Sequence, residues 1–312
     1  MRRGTSGINA LIGVDKPLGM TSHDVVSHVR RALGERRVGH AGTLDPDASG
    51  VLVVGVGQGT RLMGLLTAER KSYMGLVVFG AETDTDDAEG TVTRSAAAPS
   101  WGFDEQAVRE CLAGIVGDSM QVPPAYSAIS VNGVRSYARA RAGEEVELEA
   151  RPVTVHAAEL VAIQTVDEQP AWLVSFDVSK GCYIRAIARD LGRSCGSAAH
   201  LGGLRRTASG SIGLGSCVSL EELERRGPEL LASGALDPAA CLGLPVRDLT
   251  SAELSDAACG KRLELGEAGA SVAEGECVSL VREGKLYGVW ARRGHQLASQ
   301  TNFPAGISGV RR

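Results

Sequence analysis

The spacing of apolar and polar residues predicts a chain of strands and helices in irregular order. The apolar run 10–14 is typical of a buried strand, and the sequence 16–19 marks a turn after it. A helix is expected next, because Thr21 or Ser22 can cap its start and Gly34 can end it. Its apolar face consists of Val25, Val26, Val29 and Leu33.

Further elements follow from the same pattern. Strands are predicted at 51–54, 71–79, 153–166 and 171–178, and helices at 105–112, 136–141 and 183–195. The last helix buries a face formed by Ile184, Ile187, Ala188 and Leu191. Its arginines repeat every four residues and are expected on another face; they are Arg185, Arg189 and Arg193.

The apolar pattern changes after the sequence 242–245. Two short apolar runs, 277–281 and 286–290, flank a turn at 284–285 and predict a hairpin in a small β-rich unit. We therefore place a domain boundary near 243–246. The predicted division is a loose start at 1–8, a large domain at 9–243, a small domain at 246–303 and a loose end at 304–312.

Composition indicates a folded protein with both strands and helices. The 312 residues are 43% hydrophobic and 4% aromatic, so Val, Leu, Ile and Ala are expected to form the core. Seven dispersed cysteines argue against a disulfide framework or a zinc site and predict small buried thiols in a reducing cytoplasm. The start has two arginines but no long apolar run, so we expect a cytoplasmic protein without a signal peptide or a membrane span.

The charge distribution leaves nucleic-acid binding open. A net charge of −4, from 33 basic and 37 acidic residues, argues mildly against RNA, because phosphates call for a basic surface. Basic clusters could nevertheless form one surface after folding, although such clusters are usually solvated faces. These clusters are Arg30-Arg31, Arg36-Arg37, Arg135-Arg139-Arg141, Arg185-Arg189-Arg193 and Arg205-Arg206.

Two segments have some features of a nucleotide-binding or a calcium-binding loop, but each lacks residues that such a loop needs. The glycine-rich segment 55–59 lacks the lysine of a phosphate-binding loop, so it is predicted to be a strand-to-helix turn. The acidic segment 84–90 has Ala88 where a calcium loop needs an oxygen ligand, and its glycine comes one place late. We therefore reject calcium binding.

The segment 39–57 carries the candidate chemistry. Its glycines surround His40, Thr43 and the pair Asp45-Pro46, directly before a buried strand. A plain turn would explain Asp45, because Asp and Pro both favour turns. Alternatively, a rigid loop with little side-chain bulk can hold a reactive carboxylate where a substrate approaches.

The order of several motifs makes the chain recognisable. The segment 39–52, which we call the signature segment, has the sequence Gly-His-Ala-Gly-Thr-Leu-Asp-Pro-Asp-Ala-Ser-Gly-Val-Leu. It resembles the signature of the TruB family of tRNA pseudouridine synthases. Supporting stretches follow in the family's order across residues 9–210; they are 15–22, 71–73, 80–86, 123–128, 151–153, 179–185 and 204–207.

The resemblance implies an α+β pseudouridine synthase fold. Its central sheet is expected to be mixed, largely antiparallel and flanked by helices, with a small β-rich PUA-like C-terminal domain. The implied reaction converts uridine to pseudouridine at position 55 in the T-loop of tRNA: the base leaves C1′, turns and rejoins through C5. No metal and no organic cofactor are expected. The expected partners are the T-loop and stem of tRNA, with no membrane and no guide RNA, and the expected state is a monomer.

The resemblance also assigns three catalytic residues. Asp45 is the expected catalytic carboxylate, and Arg185 is expected to orient it and keep it ionised. Membership of an exposed arginine stripe is the alternative for Arg185. Tyr73 is expected to stack on the target base and to act in proton transfer, with an ordinary amphipathic-strand tyrosine as the alternative.

Four further residues are expected to bind the substrate. Tyr183 and Leu204 match base-pocket positions, with core packing as their alternative. His40 matches a position beside the flipped nucleotide, although a lone histidine is more often structural. Lys16 is expected to support the loop that carries Asp45 or to contact phosphate.

Other functions compete with this interpretation. Dyskerin, a relative that is directed by a guide RNA, usually has a longer and more basic C-terminal part, which favours a stand-alone tRNA enzyme here. An RNA-folding chaperone or binding module is the alternative outside the enzymes, and the joint presence of Asp45, Tyr73 and Arg185 argues against it. Attack of Asp45 on C1′, attack on C6 and a glycal route all stay open.

Overall fold

The computed structural model describes residues 6–67, 70–127, 129–131, 134–141, 144, 148–266 and 272–311. Its strands are β1 (Ala10–Lys16), β2 (Val38–Ala41), β3 (Ala48–Val56), β4 (Lys71–Phe79), β5 (Ala81–Thr83), β6 (Val92–Ser95), β7 (Gly117–Gln121), β8 (Ser130–Val131), β9 (Val134–Arg135), β10 (Arg151–Val166), β11 (Gln169–Val178), β12 (Ala199–Ser209), β13 (Ile212–Gly213), β14 (Cys217–Ser219), β15 (Val246–Asp248), β16 (Leu263–Glu264), β17 (Cys277–Arg282), β18 (Lys285–Arg293) and β19 (Gln296–Ser308). Its α-helices are α1 (Ser22–Leu33), α2 (Met63–Leu66), α3 (Glu105–Ala113), α4 (Ser136–Arg141), α5 (Ile184–Ser194), α6 (Leu220–Arg226), α7 (Leu231–Gly234), α8 (Pro238–Leu242) and α9 (Ser251–Ala258).

The chain divides into two compact units, the first formed by residues 1–68 with 208–312 and the second by 69–207. In the first unit, β1 pairs antiparallel with β3 along its whole length and parallel with β14, and β2 pairs antiparallel with β3. Helix α1 buries its predicted apolar face against residues of β1 and β3. A capping box on Thr21 starts this helix and Gly34, in the left-handed conformation, ends it, as predicted.

Residues 246–308 of the first unit form a second sheet, with the strand order β15-β17-β18-β19-β16. One side of this sheet has its own core around the fully buried Trp290 and Leu280. The other side adds Ile307 to the core that contains Leu11 of β1. The predicted hairpin at 277–290 is confirmed by the pairing of β17 with β18.

The expected loose end at 304–312 is wrong, because β19 continues through Ser308 and Ile307 is fully buried. The expected loose end began at Pro304. This proline lies between Asn302 and Ile307, where the pairing with β18 is irregular, so its missing N–H is not needed by the sheet. Of the expected loose start, residues 1–5 lie outside the described residues. The predicted boundary near 243–246 stays a prediction.

The second unit is built on strands in the order β12-β4-β11-β10-β7. The pairs β4–β11, β11–β10 and β10–β7 are antiparallel. Trp172 on β11 is fully buried against Phe79 on β4, with ring centroids 4.3 Å apart, and its Nε1 donates to the carbonyl of Gly102 at 2.8 Å. Helix α3 starts with a side-chain cap from Asp104 and packs on β10.

The predicted fold class is confirmed. Most strand pairs are antiparallel, and parallel pairing occurs at β1–β14 and β15–β17, so the sheets are mixed but largely antiparallel. Within the described ranges, no helix is both long and apolar enough to cross a membrane.

The prediction of buried thiols needs correction. All seven cysteines lie in the described part of the chain and no disulfide joins them, but Cys259 is exposed and the other six are only half-buried. Cys195 and Cys259 lie at helix ends, where the surface begins. Burial raises the pKa of Cys182, the thiol next to Tyr183, to about 12, so it is no nucleophile at neutral pH.

Candidate active site

Asp45 lies in the turn of the first unit that connects β2 to the fully buried β3. It is half-buried, and its carbonyl accepts a hydrogen bond from the N–H of Ala48 at 3.1 Å. Gly42 and Gly50 flank the turn with φ values of 78° and 105°, which a side chain would make costly. Gly42 and Gly50 are therefore required by the backbone path around Asp45.

Lys16, at the end of β1, stabilises this turn through hydrogen bonds from its buried side chain. Its side chain is 0% exposed, and Nζ donates to the carbonyls of Pro17, Met20 and Pro46 at 2.8, 2.6 and 3.2 Å. The N–H of Gly19 adds a second bond to the Pro46 carbonyl at 2.9 Å. Because the ammonium is buried among carbonyls, these contacts favour loop support over phosphate binding for Lys16.

Ser22 fixes the residue immediately before Asp45, a contact that the sequence analysis missed. Its Oγ donates to the carbonyl of Leu44 at 3.0 Å and accepts from the N–H of Leu44 at 2.9 Å. The side chain is 2% exposed. The first turn of α1 and the base of the turn that bears Asp45 are thus joined by a pair of buried hydrogen bonds.

His40 lies on β2, opposite Val54 of β3, and is half-buried. In the first unit the structure therefore brings three predicted residues, Lys16, His40 and Asp45, onto one short stretch of the sheet and its turn. The substrate roles of His40 and Lys16 stay predictions.

In the second unit, Tyr73 lies on β4 opposite Phe176 of β11 and is 8% exposed. Gly75 lies on the same face of β4, two residues further along. A Cβ at Gly75 would be 3.3 Å from Cγ2 of Ile184, the first residue of α5. The missing side chain lets the start of α5 pack closely on the face of β4 that carries Tyr73.

Tyr183 is the N-cap residue of α5 and is half-buried. The buried side chain of Gln121 fixes its backbone: Oε1 accepts from the Tyr183 N–H at 2.9 Å and Nε2 donates to its carbonyl at 3.2 Å. Leu204 is half-buried on β12, the neighbour of β4. The base-pocket role of both residues stays a prediction.

Arg185 is 7% exposed, so the alternative of an exposed arginine stripe is wrong for it. Its Nη1 donates to the carbonyl of Thr85 at 3.0 Å and lies 3.4 Å from Oδ2 of Asp87, while Nη2 donates to the carbonyl of Tyr126 at 3.0 Å. The guanidinium is therefore held in one orientation at the first turn of α5.

The acidic residues that face α5 lie on residues 82–87, which we call the acidic strap. Glu82 accepts hydrogen bonds from Arg193 at 2.7 Å and Arg94 at 2.6 Å, and Asp86 accepts one from Arg189 at 2.8 Å. These carboxylates pair with arginines of α5. The acidic residues of this segment therefore form ion pairs, a role that does not require the spacing of a calcium loop. Among the described residues, no group of three or more His, Cys, Asp or Glu side chains is arranged to hold a metal.

The basic clusters differ in what they can bind. Arg189 is buried on the strap and Arg206 is 1% exposed, so these arginines cannot serve a phosphate surface. Arg31, Arg36 and Arg37 are exposed beside the start of β2. Arginines exposed beside the signature segment are better placed for phosphate contact than the buried Arg185 and Arg189 of α5.

Solved structures with a similar fold are known. The chain is similar to the structure titled as the archaeal box H/ACA sRNP Nop10-Cbf5 complex, with a TM-score of 0.67 and 21% identity over 95% of this chain and 86% of that one. It is also similar to a Cbf5-Nop10-Gar1 complex, with a TM-score of 0.70 and 21% identity over 96% and 85%. At this identity the likeness shows a shared fold and nothing more.

Sequence comparison defines the family. The family model described as TruB family pseudouridylate synthase (N terminal domain) matches residues 30–184. Proteins named tRNA pseudouridine synthase B are 45% identical over 278 residues in Mycobacterium sp. (strain KMS), covering 88% of this chain and 92% of that protein. In Mycobacterium tuberculosis (strain ATCC 25618 / H37Rv) they are 44% identical over 277 residues, covering 88% and 91%. The chain belongs to the TruB family and is an enzyme of the pseudouridine synthase class.

Proposed function

We propose that this enzyme converts the uridine at position 55 in the T-loop of tRNA to pseudouridine, with Asp45 as the catalytic carboxylate and without a metal or an organic cofactor. The observation that carries the proposal is the support of the Asp45 turn by Lys16 and Ser22, whose buried hydrogen bonds reach the residues on both sides of Asp45. The relatives that carry the name tRNA pseudouridine synthase B support tRNA as the substrate class.

The proposed chemistry needs a carboxylate that is held rigidly while the base leaves the stack. Extruding a base costs a few kcal/mol, and RNA loops with splayed bases lower that cost. Asp45 then acts on the sugar or on the ring as a nucleophile or as a charge stabiliser. Arg185 is proposed to orient this carboxylate, and Tyr73 to stack on the base and assist proton transfer.

Binding is proposed to rest on phosphate contacts of the exposed arginines Arg31, Arg36 and Arg37. Affinity should then fall steeply as salt rises, and a flat salt response would contradict this surface. We propose a monomer that needs no guide RNA, located with its tRNA substrate in the cytoplasm. The similar structures are complexes of Cbf5 with Nop10 or with Nop10 and Gar1, but the likeness to them concerns the fold alone.

The decisive experiment compares two aspartates of the same turn. Asp45→Asn should abolish pseudouridine formation, because the amide cannot act as a nucleophilic carboxylate, while tRNA binding stays within about twofold of wild type. Asp47→Asn is the matched control, since Asp47 is exposed two residues away and should keep its activity. Formation of the C5–C1′ bond displaces the hydrogen at C5, so tritium release from tRNA labelled at uridine C5 measures turnover.

The substrate assignment is tested with the same assay. Unmodified tRNA without any added RNA should release one tritium per molecule, and replacing uridine 55 by cytidine should remove that signal. Turnover by Asp45→Asn would refute the catalytic assignment. Tight tRNA binding by the wild type without any turnover would instead favour an RNA-binding module.

A further inference from the structure

Three arginines of α5 meet three of the four carboxylates of the acidic strap in a regular order. Arg185 faces Asp87 at the start of the helix, Arg189 faces Asp86 one turn later, and Arg193 faces Glu82 at the end; the N···O distances are 3.4, 2.8 and 2.7 Å. Residues four apart share one side of a helix, so the strap lies along a single stripe of α5.

The middle carboxylate of this series is the most constrained. Asp86 is 8% exposed and has a φ of 61°, a left-handed conformation that is uncommon outside glycine. Its N–H donates to the carbonyl of Thr83 at 3.2 Å, and its own carbonyl accepts from the N–H of Leu201 at 3.0 Å. These two hydrogen bonds hold the backbone of Asp86 in this conformation, and the ion pair with Arg189 joins it to α5.

Its partner uses all three guanidinium nitrogens. Arg189 donates through Nη1 to Asp86, through Nη2 to the carbonyl of Val122 at 2.8 Å, and through Nε to Asp190 at 2.9 Å. Like Asp86, it is 8% exposed. The contact with Asp86 joins α5 to the strap, while those with Val122 and Asp190 fix the plane of the guanidinium.

Besides the carbonyl of Tyr126, Arg185 contacts the two residues next to Asp86. Thr85 supplies a carbonyl and Asp87 supplies a carboxylate to the Arg185 guanidinium. We propose that Asp86 and Arg189 are positioning residues for pseudouridine synthesis: their buried ion pair sets the register of the strap against α5 and so aims the guanidinium of Arg185. This inference rests on the proposed catalytic role of Arg185 and extends it to residues that do not touch the substrate.

The energetics of the pair suit a positioning role. Burial raises the pKa of Asp86 above its usual range against the opposing effect of Arg189, so desolvation outweighs the attraction. Replacing both partners of a buried ion pair often changes stability little, whereas removing one partner leaves the other charge buried and destabilises the fold. The effect of each single substitution on turnover must therefore be measured separately from its effect on folding.

The first test separates positioning from stability. Asp86→Asn and Arg189→Met should each lower the single-turnover rate of pseudouridine formation about tenfold to a hundredfold at saturating enzyme, as expected for a displaced catalytic group. The tRNA dissociation constant should stay within about twofold of wild type. Glu82→Gln is the matched control, because it removes an equally buried carboxylate from the same strap two helical turns away from Arg185. It should keep the wild-type rate even where its melting temperature falls as far as that of Asp86→Asn.

The second test asks whether the pair acts through Arg185. In an Arg185→Lys background, Asp86→Asn should slow the reaction by less than about twofold, since the group that it positions is already lost. Full multiplication of the two single effects would overturn the inference, as would a wild-type rate for Asp86→Asn or an equal loss of rate in Glu82→Gln. A wild-type rate for Arg185→Lys would also overturn it. The catalytic assignment of Asp45 is judged separately, because only the loss of turnover in Asp45→Asn decides it.

Discussion

The turn that carries Asp45 and the strap that contacts Arg185 each hold a proposed catalytic side chain in place, but they do so through different kinds of contact. Lys16 and Ser22 lie within 30 residues of the atoms that they bind in the turn. The strap instead meets α5 across 100 to 111 residues of chain. The contacts that support the turn are neutral apart from one buried ammonium, whereas the strap is joined to α5 by a series of ion pairs. A support made of close neighbours leaves a recognisable sequence motif, and a support made of distant charges does not.

The largest effect is expected from removing the ammonium beneath the turn. Lys16→Met removes the Nζ donor from the carbonyls of Pro17 and Met20 and leaves the Pro46 carbonyl with the bond from Gly19, and each buried unsatisfied group costs about 1–3 kcal/mol. We expect the free energy of unfolding to fall by about 3 kcal/mol or more and turnover to fall at least about tenfold. Urea unfolding and tritium release measure the two effects.

The control for Lys16 is a lysine on the surface. Lys261→Met removes an exposed ammonium that pairs with Asp256, and such a pair contributes little. Wild-type stability in Lys16→Met would show that the turn does not depend on Nζ, and the contrast between turn and strap would then fail.

A smaller effect is expected at the next support of the turn. Ser22→Ala leaves both polar groups of Leu44 without their partner, so we expect a loss of about 1–3 kcal/mol in the free energy of unfolding. Turnover should fall roughly tenfold, because Leu44 precedes Asp45 directly. Ser27→Ala in the same helix is the control: Ser27 bonds only its own helix at an exposed position and should change neither quantity measurably.

This comparison also explains how much the sequence could predict. The apolar period of α1 and its caps placed that helix between Thr21 and Gly34, and the strand at 71–79 has the predicted bounds, because both depend on neighbouring residues. The bond between Ser22 and Leu44 was missed, since Ser22 had a sufficient explanation as a helix cap.

The strap was harder to predict for a physical reason. The acidic segment and the arginines of α5 were each visible, but an ion pair carries no period and no spacing that joins two distant segments. An arginine every four residues is typical of an exposed face, and only the fold shows that Arg185 and Arg189 are buried. The joint action of Asp45 with Arg185 came from the family resemblance and stays a prediction.

The pKa values of two carboxyls of the strap, Glu82 and Asp86, are shifted in opposite directions. Burial alone would raise the pKa of Glu82, but hydrogen bonds from Arg193 and Arg94 outweigh it and hold the pKa below its ordinary value of 4.5. Burial raises the pKa of Asp86 above 3.8, because the nearby arginines do not compensate for it. Glu82 therefore favours the native state in its ionised form, and Asp86 in its protonated form.

The smallest predicted effect follows from this difference in sign. Glu82 stabilises the native state above pH 4.5, so Glu82→Gln should cost about 1–2 kcal/mol at pH 7, and the gap to wild type should close as the pH falls below 4.5. For Asp86→Asn, the free energy of unfolding of the wild type should rise relative to that of the variant as the pH falls through the raised native pKa towards 3.8. The reason is that the native carboxyl of the wild type gains stability by taking up a proton. Urea midpoints of the wild type and both variants between pH 7 and pH 4 give the two slopes. Parallel slopes would mean that both carboxyls serve the strap in the same way, and Asp86 would lose the energetic feature that distinguishes it from Glu82.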